Sequence, residues 1–407
     1  MVVLVISQLF AGAGIAAGLS AGALLAQDLF GNDALTGLPF VFFSTGSACA
    51  SLLIGRISQK RGRRPGLSSG FFLGCIGAVG IIVFTIISNV VLFFVMLFIY
   101  GAGSATALQA RYAGTDLAKP MQKATSVGIV LIASSFGVFV SPLFTDALSA
   151  LAVSWGASDK VGVFIIASIG YLISGSIVCV FMRPDPLLTA RALESQASRS
   201  VKQSGSASSE SDDGTARERR SNRQKIILGV FVMTVAFVVM ILIMTMTPLH
   251  MQHHDNDMTV ISWVISIHLA AMYLPSLFSG MIVDKLGALR TAELSGVVLL
   301  LSGVLAALAT NGQLVLMIVS LTLLGVGWNF GFISGTAIVL EGVAPEKRAK
   351  QQGRTDVFIA LAGAAAGFFS GVILAGVGFV ILALFGSAIA LAMLVLVFVI
   401  SRKRQVP

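Results

Sequence analysis

Charged residues are scarce in this chain. Asp, Glu, Lys and Arg make up only 11% of its 407 residues, whereas 56% of the residues are hydrophobic. No soluble globular domain keeps that balance, because a water-exposed surface needs far more charge. The composition therefore excludes a water-soluble fold and predicts a membrane protein.

Cysteine is scarce as well. The three cysteines, Cys49, Cys75 and Cys179, form no CxxC pair, and each falls within a predicted helix. Cys49 could face a cavity, although the favoured interpretation is a buried small apolar residue. The sequence also has no P-loop, nucleotide fingerprint or nucleophile–base pair.

Without these motifs, the sequence predicts neither an enzyme nor a catalytic cofactor. Any transport would therefore be passive or coupled to an ion gradient.

Apolar runs of about 20 residues recur along the whole chain, and each is long enough to cross the hydrocarbon core as a helix. Twelve such runs are predicted, centred near residues 14, 47, 77, 100, 136, 171, 237, 270, 301, 324, 364 and 389. The sequence predicts an all-α membrane protein with twelve transmembrane helices.

Basic residues fix the predicted orientation. If the N-terminus is cytoplasmic and the helices alternate, only Lys160 of the 27 basic residues lies outside. This distribution follows the positive-inside rule, so both termini are expected in the cytoplasm. It also accounts for the net charge of +9 without a nucleic-acid partner. The partner that the chain requires is the lipid bilayer.

The chain carries the marks of a duplication. The segments "GRISQKRG" (55–62) and "GMIVDKLG" (280–287) are 225 residues apart, and so are "DLAKPMQKATSVG" (116–128) and "EGVAPEKRAKQQG" (341–353). Two pairs of segments with the same offset indicate that the chain consists of two parallel six-helix halves. We expect an N-terminal half over 1–182 and a C-terminal half over 225–407. Residues 183–224, rich in Ser, Arg and acids, are expected to form a cytoplasmic, largely disordered linker.

The first pair of repeated segments is similar to the loop signature of the major facilitator superfamily, and the resemblance covers all twelve predicted helices. It implies the fold of that family and a gating function for these loops. The residues expected to form the gating loops are Gly55, Gly62, Arg63, Gly280, Asp284 and Gly287. The first copy departs from the signature at Gln59, where an acid is expected, whereas Asp284 keeps the acid in the second copy. Leu97 stands where proton-coupled members carry a buried arginine.

The stretch "MILIMTMTPLHMQHHDND" (240–257) concentrates methionine and histidine at the outer end of the seventh predicted helix. Met240 and Met244 are one helical turn apart, as are His268 and Met272 in the next helix. Both pairs are expected at similar depth, facing one central cavity. Thioether sulfur with imidazole suits Cu(I), whereas zinc prefers thiolate, imidazole or carboxylate. A histidine in the middle of the membrane is costly and usually functional.

Further donors follow at the external mouth. The residues through which a metal would enter are Met246, His250, Met251, His253 and His254. Together with the acids 255 and 257 they would gather a cation outside, whereas the basic cytoplasmic face would repel it. This asymmetry favours import.

The paired patterns Met-xxx-Met (240, 244) and His-xxx-Met (268, 272) also resemble those of CcoA-type copper importers. That resemblance implies a bacterial inner membrane and copper uptake for cytochrome c oxidase assembly. It also implies that Met240, Met244, His268 and Met272 bind the copper ion, which would be the substrate.

Two alternatives stay open. Methionine is an ordinary membrane residue, so the chain could carry an organic solute, such as riboflavin or a drug, through an apolar pocket. It could also be a copper sensor or assembly factor that moves no metal. Asp356 and Asp146 are candidates for proton coupling, although Asp356 beside Arg354 could also be a structural anchor. We expect a monomer, and any periplasmic or cytoplasmic copper carrier is unidentified.

Overall fold

A computed structural model describes residues 1–14, 38–119, 122–203, 212–252, 254, 258–309, 313–344 and 347–405. Nearly all of these residues lie in α-helices. The helices are α1 (Val2–Gly14), α2 (Leu38–Arg61), α3 (Arg63–Ile86), α4 (Val90–Thr115), α5 (Lys123–Ser154), α6 (Gly162–Phe181), α7 (Pro186–Gln203), α8 (Asp212–Gln252), α9 (Met258–Tyr273), α10 (Ser276–Leu286), α11 (Ala288–Leu308), α12 (Leu314–Glu341) and α13 (Arg348–Gln405).

The predicted membrane helices are confirmed as helices. Within the described residues, ten segments are long and apolar enough to cross a bilayer, and Val2–Gly14 and Lys123–Gly137 are shorter apolar helices. The last helix, α13, contains two of the ten segments, because non-helical backbone at Gly378 divides it. Helices α9 and α10 share another segment, Trp263–Leu286, which is broken near Pro275. The fold is therefore all-helical, as the sequence predicts.

Two hydrophobic cores divide the helices into the expected halves. One core is built from α1–α6 and includes Phe71, Tyr100 and Phe164. The other is built from α8–α13 and includes Val239, Trp328 and Leu382. Three residues of α5 join the second core, because α5 packs against α10. The other large contact between the halves joins α2 to α13.

The repeat of 225 residues is visible in the backbone. Gly62 between α2 and α3 has φ of 98°, and Gly287 between α10 and α11 has φ of 91°. A residue with a side chain is strained there, which explains glycine at both positions of the duplicated loop. We call the end of the bundle with these two turns the basic end.

Close helix contacts at the basic end repeat with the same offset. A Cβ at Gly55 would lie 2.9 Å from the carbonyl oxygen of Ala349, and a Cβ at Gly280 would lie 2.6 Å from that of Ala124. Each glycine therefore lets one half approach the other closely, α2 against α13 and α10 against α5. The predicted duplication is confirmed at the level of atomic contacts.

Part of the segment 183–224, which the sequence predicts to be a largely disordered linker, forms helix where the structure describes it. Helix α7 occupies Pro186–Gln203, and α8 already begins at Asp212. The carboxylate of Asp185 accepts hydrogen bonds from the amides of Leu187 and Leu188 at 3.1 and 3.2 Å, which caps α7. Proline in the first turn and a capped start favour a helix, and Ala, Leu, Arg and Gln continue it.

Candidate functional site

A cavity of about 90 Å³ lies between the two halves. Helices α2 and α4 of the first half and α8, α9, α12 and α13 of the second contribute to its wall, counting only the described part of the chain. Each helix presents residues at helical spacing, so one face of each helix lines the cavity. On α8 these residues are Phe237, Met240, Ile241 and Met244.

Aromatic rings form much of the wall on the second half. The rings of Tyr273 and Trp328 meet edge to face with centroids 5.8 Å apart, and Trp328 stacks on Phe332 at 4.8 Å. Phe40 from the first half also lines the cavity. These large rings offer a surface on which a flat ring could stack.

Hydroxyl groups from the first half also line the cavity. Ser44, Ser47 and Ser51 follow one face of α2, and Ser104 of α4 lines the cavity with them. The first half thus contributes four hydroxyl groups as well as aromatic rings, and the second half contributes aromatic rings and thioethers. Such a wall suits an amphipathic ligand with a ring and a polar edge.

A buried ion pair between the halves lies at one edge of the cavity. The Arg111 Nη2 of α4 is 2.8 Å from the Asp356 Oδ1 of α13, and the two side chains are 0% and 7% exposed. The guanidinium also donates to the Tyr112 hydroxyl at 2.7 Å and lies 4.3 Å from the centroid of Phe332. Asp356 lines the cavity, and its Oδ2 has no hydrogen-bond partner within the described residues. It is therefore the carboxylate oxygen best placed to receive a proton or a ligand donor.

This ion pair differs from the expected one. The sequence suggested Arg354 as the anchor of Asp356, but Arg354 is exposed and the partner is Arg111. The neighbouring positions 354 and 356 point to different sides of their helix, as the helical period requires. The predicted role of Asp356 in proton coupling stays a prediction. The side chain of Asp146, the other candidate, lies outside the described residues.

Three of the four predicted copper ligands share the cavity. Met240, Met244 and Met272 line it. Met272 stands where the chain leaves α9 before Pro275, and its carbonyl accepts a hydrogen bond from the Asn329 Nδ2 of α12 at 2.7 Å. The same amide donates to the Ser276 Oγ at 2.6 Å, so Asn329 bridges the helix break.

The fourth predicted ligand faces elsewhere. His268 is fully buried, and its Nδ1 lies 2.8 Å from the Leu321 carbonyl oxygen of α12. It is not one of the described residues that line the cavity. Its Nε2 has no hydrogen-bond partner within the described part of the chain. His268 is close to Met272 on the helix surface but lies on the side that packs against α12. The four-residue copper site stays a prediction.

The predicted metal entrance is only partly described. Met246 packs against the second core, and His250, Met251 and His254 lie together at the end of α8 away from the basic end. His253 lies outside the described residues. Within the described part of the chain, no three His, Cys, Asp or Glu residues form a group that could hold a metal ion.

The predicted gating loops lie where the halves meet. Arg63 is fully buried and donates to both carboxylate oxygens of Asp116, at 2.7 and 3.2 Å. It also donates to the Gln352 Oε1 of α13 at 2.5 Å, so this arginine joins the two halves.

The duplicated signature places equivalent side chains at two helix N-termini. Asp284 accepts hydrogen bonds from the amides of Ala124 and Thr125 at the start of α5, at 3.2 and 2.9 Å. Gln59, the equivalent residue of the first half, accepts one from the amide of Lys350 at the start of α13, at 3.2 Å. Both side chains therefore join the halves at the basic end, one with a charge and one without.

Comparison with known proteins identifies the family to which this architecture belongs. The profile of the Major Facilitator Superfamily matches residues 4–258 and 228–407. The chain is 46% identical over 402 residues to the uncharacterized MFS-type transporter YdeG of Bacillus subtilis, covering 98% of this chain and 91% of that protein. It is 27% identical over 386 residues to the riboflavin transporter RfnT of Brucella anthropi, covering 92% of this chain and 88% of that protein.

A solved structure shares the fold at low identity. The human organic anion transporter MFSD10 (TETRAN) superposes with a TM-score of 0.73 at 15% identity, covering 97% of this chain and 98% of that one. The helices, the duplicated halves and the matched profile agree, and the chain belongs to the Major Facilitator Superfamily.

Proposed function

We propose that this membrane transporter carries a small organic solute that has a flat ring and a polar edge. The observation that carries the proposal is the cavity between the halves, which is lined both by stacked aromatic side chains and by a row of serine hydroxyls. A ring would stack on Trp328 and Phe332, and hydroxyl groups of α2 would bind its polar edge.

This wall supports an organic solute better than copper. Three thioethers reach the cavity, but the imidazole of His268 is directed to α12. Methionine is flexible and polarisable, so Met240, Met244 and Met272 also suit the edges of an aromatic ligand. A copper importer stays the second candidate, because three thioethers in one cavity are a donor set that favours Cu(I).

The similarity to a riboflavin transporter supports the same substrate class. That relative is 27% identical over most of both chains, and its name specifies a ring-containing vitamin. We therefore include riboflavin among the first solutes to test.

The transporter would sit in a bacterial plasma membrane with its basic end in the cytoplasm, as the positive-inside rule requires. Asp356 would couple transport to a proton. Protonation of its carboxylate would remove the charge that holds Arg111 and so weaken a contact between the halves.

Ligand binding can be measured through Trp328, which is buried at the cavity wall. Purified protein in lipid nanodiscs is titrated with riboflavin and other ring-containing solutes while tryptophan fluorescence is recorded. We expect saturable quenching by at least one solute. The variant Trp328→Phe keeps a stacking ring but loses the reporter, so most of the quenching should disappear while binding measured by equilibrium dialysis persists.

The variant Met240→Leu/Met244→Leu/Met272→Leu separates the two candidates. Leucine keeps the apolar volume and removes the sulfur, so an organic solute should bind within about threefold of the wild-type affinity. Uptake of radioactive copper into proteoliposomes is measured in parallel. Copper uptake that this variant abolishes, together with no quenching by any solute, would replace the organic-solute proposal with copper import.

A further inference from the structure

A second site lies at the end of α8 opposite the basic end. His250, Met251 and His254 meet Ala309, which follows α11, and Gln313, Leu314 and Met317 at the start of α12. These residues surround a small pocket of about 10 Å³ and share no member with the described lining of the central cavity. What this pocket binds is thus independent of the proposed transport substrate.

The two histidine rings of the pocket are held close together. They are four residues apart in the chain, and their centroids are 4.7 Å apart with the planes at 74°. The ring of His250 stacks on Phe379 at 4.1 Å, nearly parallel, which fixes its plane. Nitrogen atoms of two rings at this separation can reach one metal ion, because metal–nitrogen bonds are about 2.0–2.1 Å long.

Two thioethers complete the donors. Met251 and Met317 both line the pocket, and each is only 3% exposed. Two imidazoles and two thioethers are uncharged, and this combination suits Cu(I). Zn²⁺ would lack the thiolates or carboxylates that usually complete its site.

We propose that His250, His254, Met251 and Met317 form a Cu(I) site that joins the ends of α8 and α12. The ion would hold together two helices of the second half on the side opposite the basic end. Gln313 lines the pocket and is exposed, so the site would be accessible from water.

A purely structural role makes a different prediction. His250 Nε2 lies 3.5 Å from the carbonyl oxygen of Ala309, and the ring could simply stack on Phe379 and interact with the helix end. In that case the protein would bind no copper at this position, and replacing the histidines would change only stability.

Competition with a chromophoric Cu(I) chelator tests the proposal. The full-length protein is purified anaerobically with a tag that lacks histidine. Cys49, Cys75 and Cys179 are replaced by serine, because free thiols bind Cu(I) strongly. We expect this protein to withdraw one equivalent of copper from the chelator. His250→Ala/His254→Ala should abolish that withdrawal, and Met317→Leu should lower the affinity by about tenfold or more.

Every protein in this test carries Met240→Leu/Met244→Leu/Met272→Leu, because the three thioethers of the central cavity also offer donors that suit Cu(I). Thermal unfolding checks that each variant is folded, and His250→Gln/His254→Gln replaces the alanine pair if that pair unfolds. Copper withdrawal that survives the loss of both histidines overturns the proposal, as does a protein that withdraws none. Neither result affects the fluorescence test of the central cavity.

Discussion

At the scale of single residues, the Arg111–Asp356 pair is the feature that sequence reasoning missed. Arg111 follows an apolar run and was counted among cytoplasmic basic residues, but the structure buries it completely. Its partner is 245 residues away in the chain. Pairing over that separation depends on how the halves pack, which no local spacing encodes.

Asp356→Asn tests whether this carboxylate couples transport to protons. Asparagine can still accept a hydrogen bond from Arg111 but takes up no proton. We expect proton-driven accumulation of the substrate in proteoliposomes to fall to background, while exchange of substrate across the membrane continues. Breaking a buried pair costs about 3–5 kcal/mol, so the thermal stability of the variant is measured alongside.

The double variant Arg111→Gln/Asp356→Asn provides the control, because it leaves no unpaired buried charge. It should recover stability but not proton-driven accumulation. Normal uphill accumulation by Asp356→Asn would exclude Asp356 as the coupling group.

The methionines show what local pattern can and cannot establish. Helical spacing places Met240 and Met244 on one face of α8, and both reach the cavity. Spacing also relates His268 to Met272, but a cavity wall occupies only part of a helix face. Whether a residue at its edge faces the cavity or α12 depends on the neighbouring helix.

At the scale of helices, the two N-terminal caps at the basic end differ in charge. Asp284 places a carboxylate at the start of α5, where the helix dipole favours negative charge, and Gln59 places an amide at the start of α13. The departure of the first loop from the signature at Gln59 thus has a structural counterpart. In helix α7, by contrast, sequence and structure differ. Its polar composition suggested disorder, whereas its capped start and helix-forming residues favour a helix.

Asp284→Asn should open the basic end more readily, and Gln59→Glu should close it more firmly. A hydrogen bond to a charged group contributes about 1.5–3 kcal/mol, so each change should shift the equilibrium by roughly tenfold. The reporter is Ala349→Cys, buried between α2 and α13, in a protein whose native cysteines are serine.

The reaction rate of this cysteine with a water-soluble maleimide is compared among the variants. Faster labelling is expected for Asp284→Asn and slower labelling for Gln59→Glu. Equal rates in all three proteins would show that the caps do not control opening.

At the scale of the whole molecule, composition and repeats predict the fold well, because membrane helices and a duplication leave strong signals. Each half has its own hydrophobic core, and α7 ends before residue 204. We therefore expect the connection between α7 and α8 to act mainly by keeping the halves together.

Fragments 1–203 and 212–407, expressed together, should assemble and bind the solute, whereas neither fragment should do so alone. Assembly is measured by copurification through a tag on one fragment, and binding by fluorescence of Trp328. A shortened chain that carries a flexible linker in place of 204–211 checks that these residues are dispensable. Failure of the fragments to copurify would show that the halves depend on a continuous chain.

The distribution of polar contacts at the basic end has a consequence for the direction of movement. Arg63–Gln352, Arg111–Asp356 and Gln59–Lys350 all join the first half to α13, whereas Asp284 joins α10 to α5. In the proposed proton coupling, protonation of Asp356 would weaken Arg111–Asp356, a contact of the first group, and would leave the Asp284 contact intact. The halves should then separate by rotation about an axis near α5 and α10, so that water reaches the solute from the α2–α13 side before it arrives from the other.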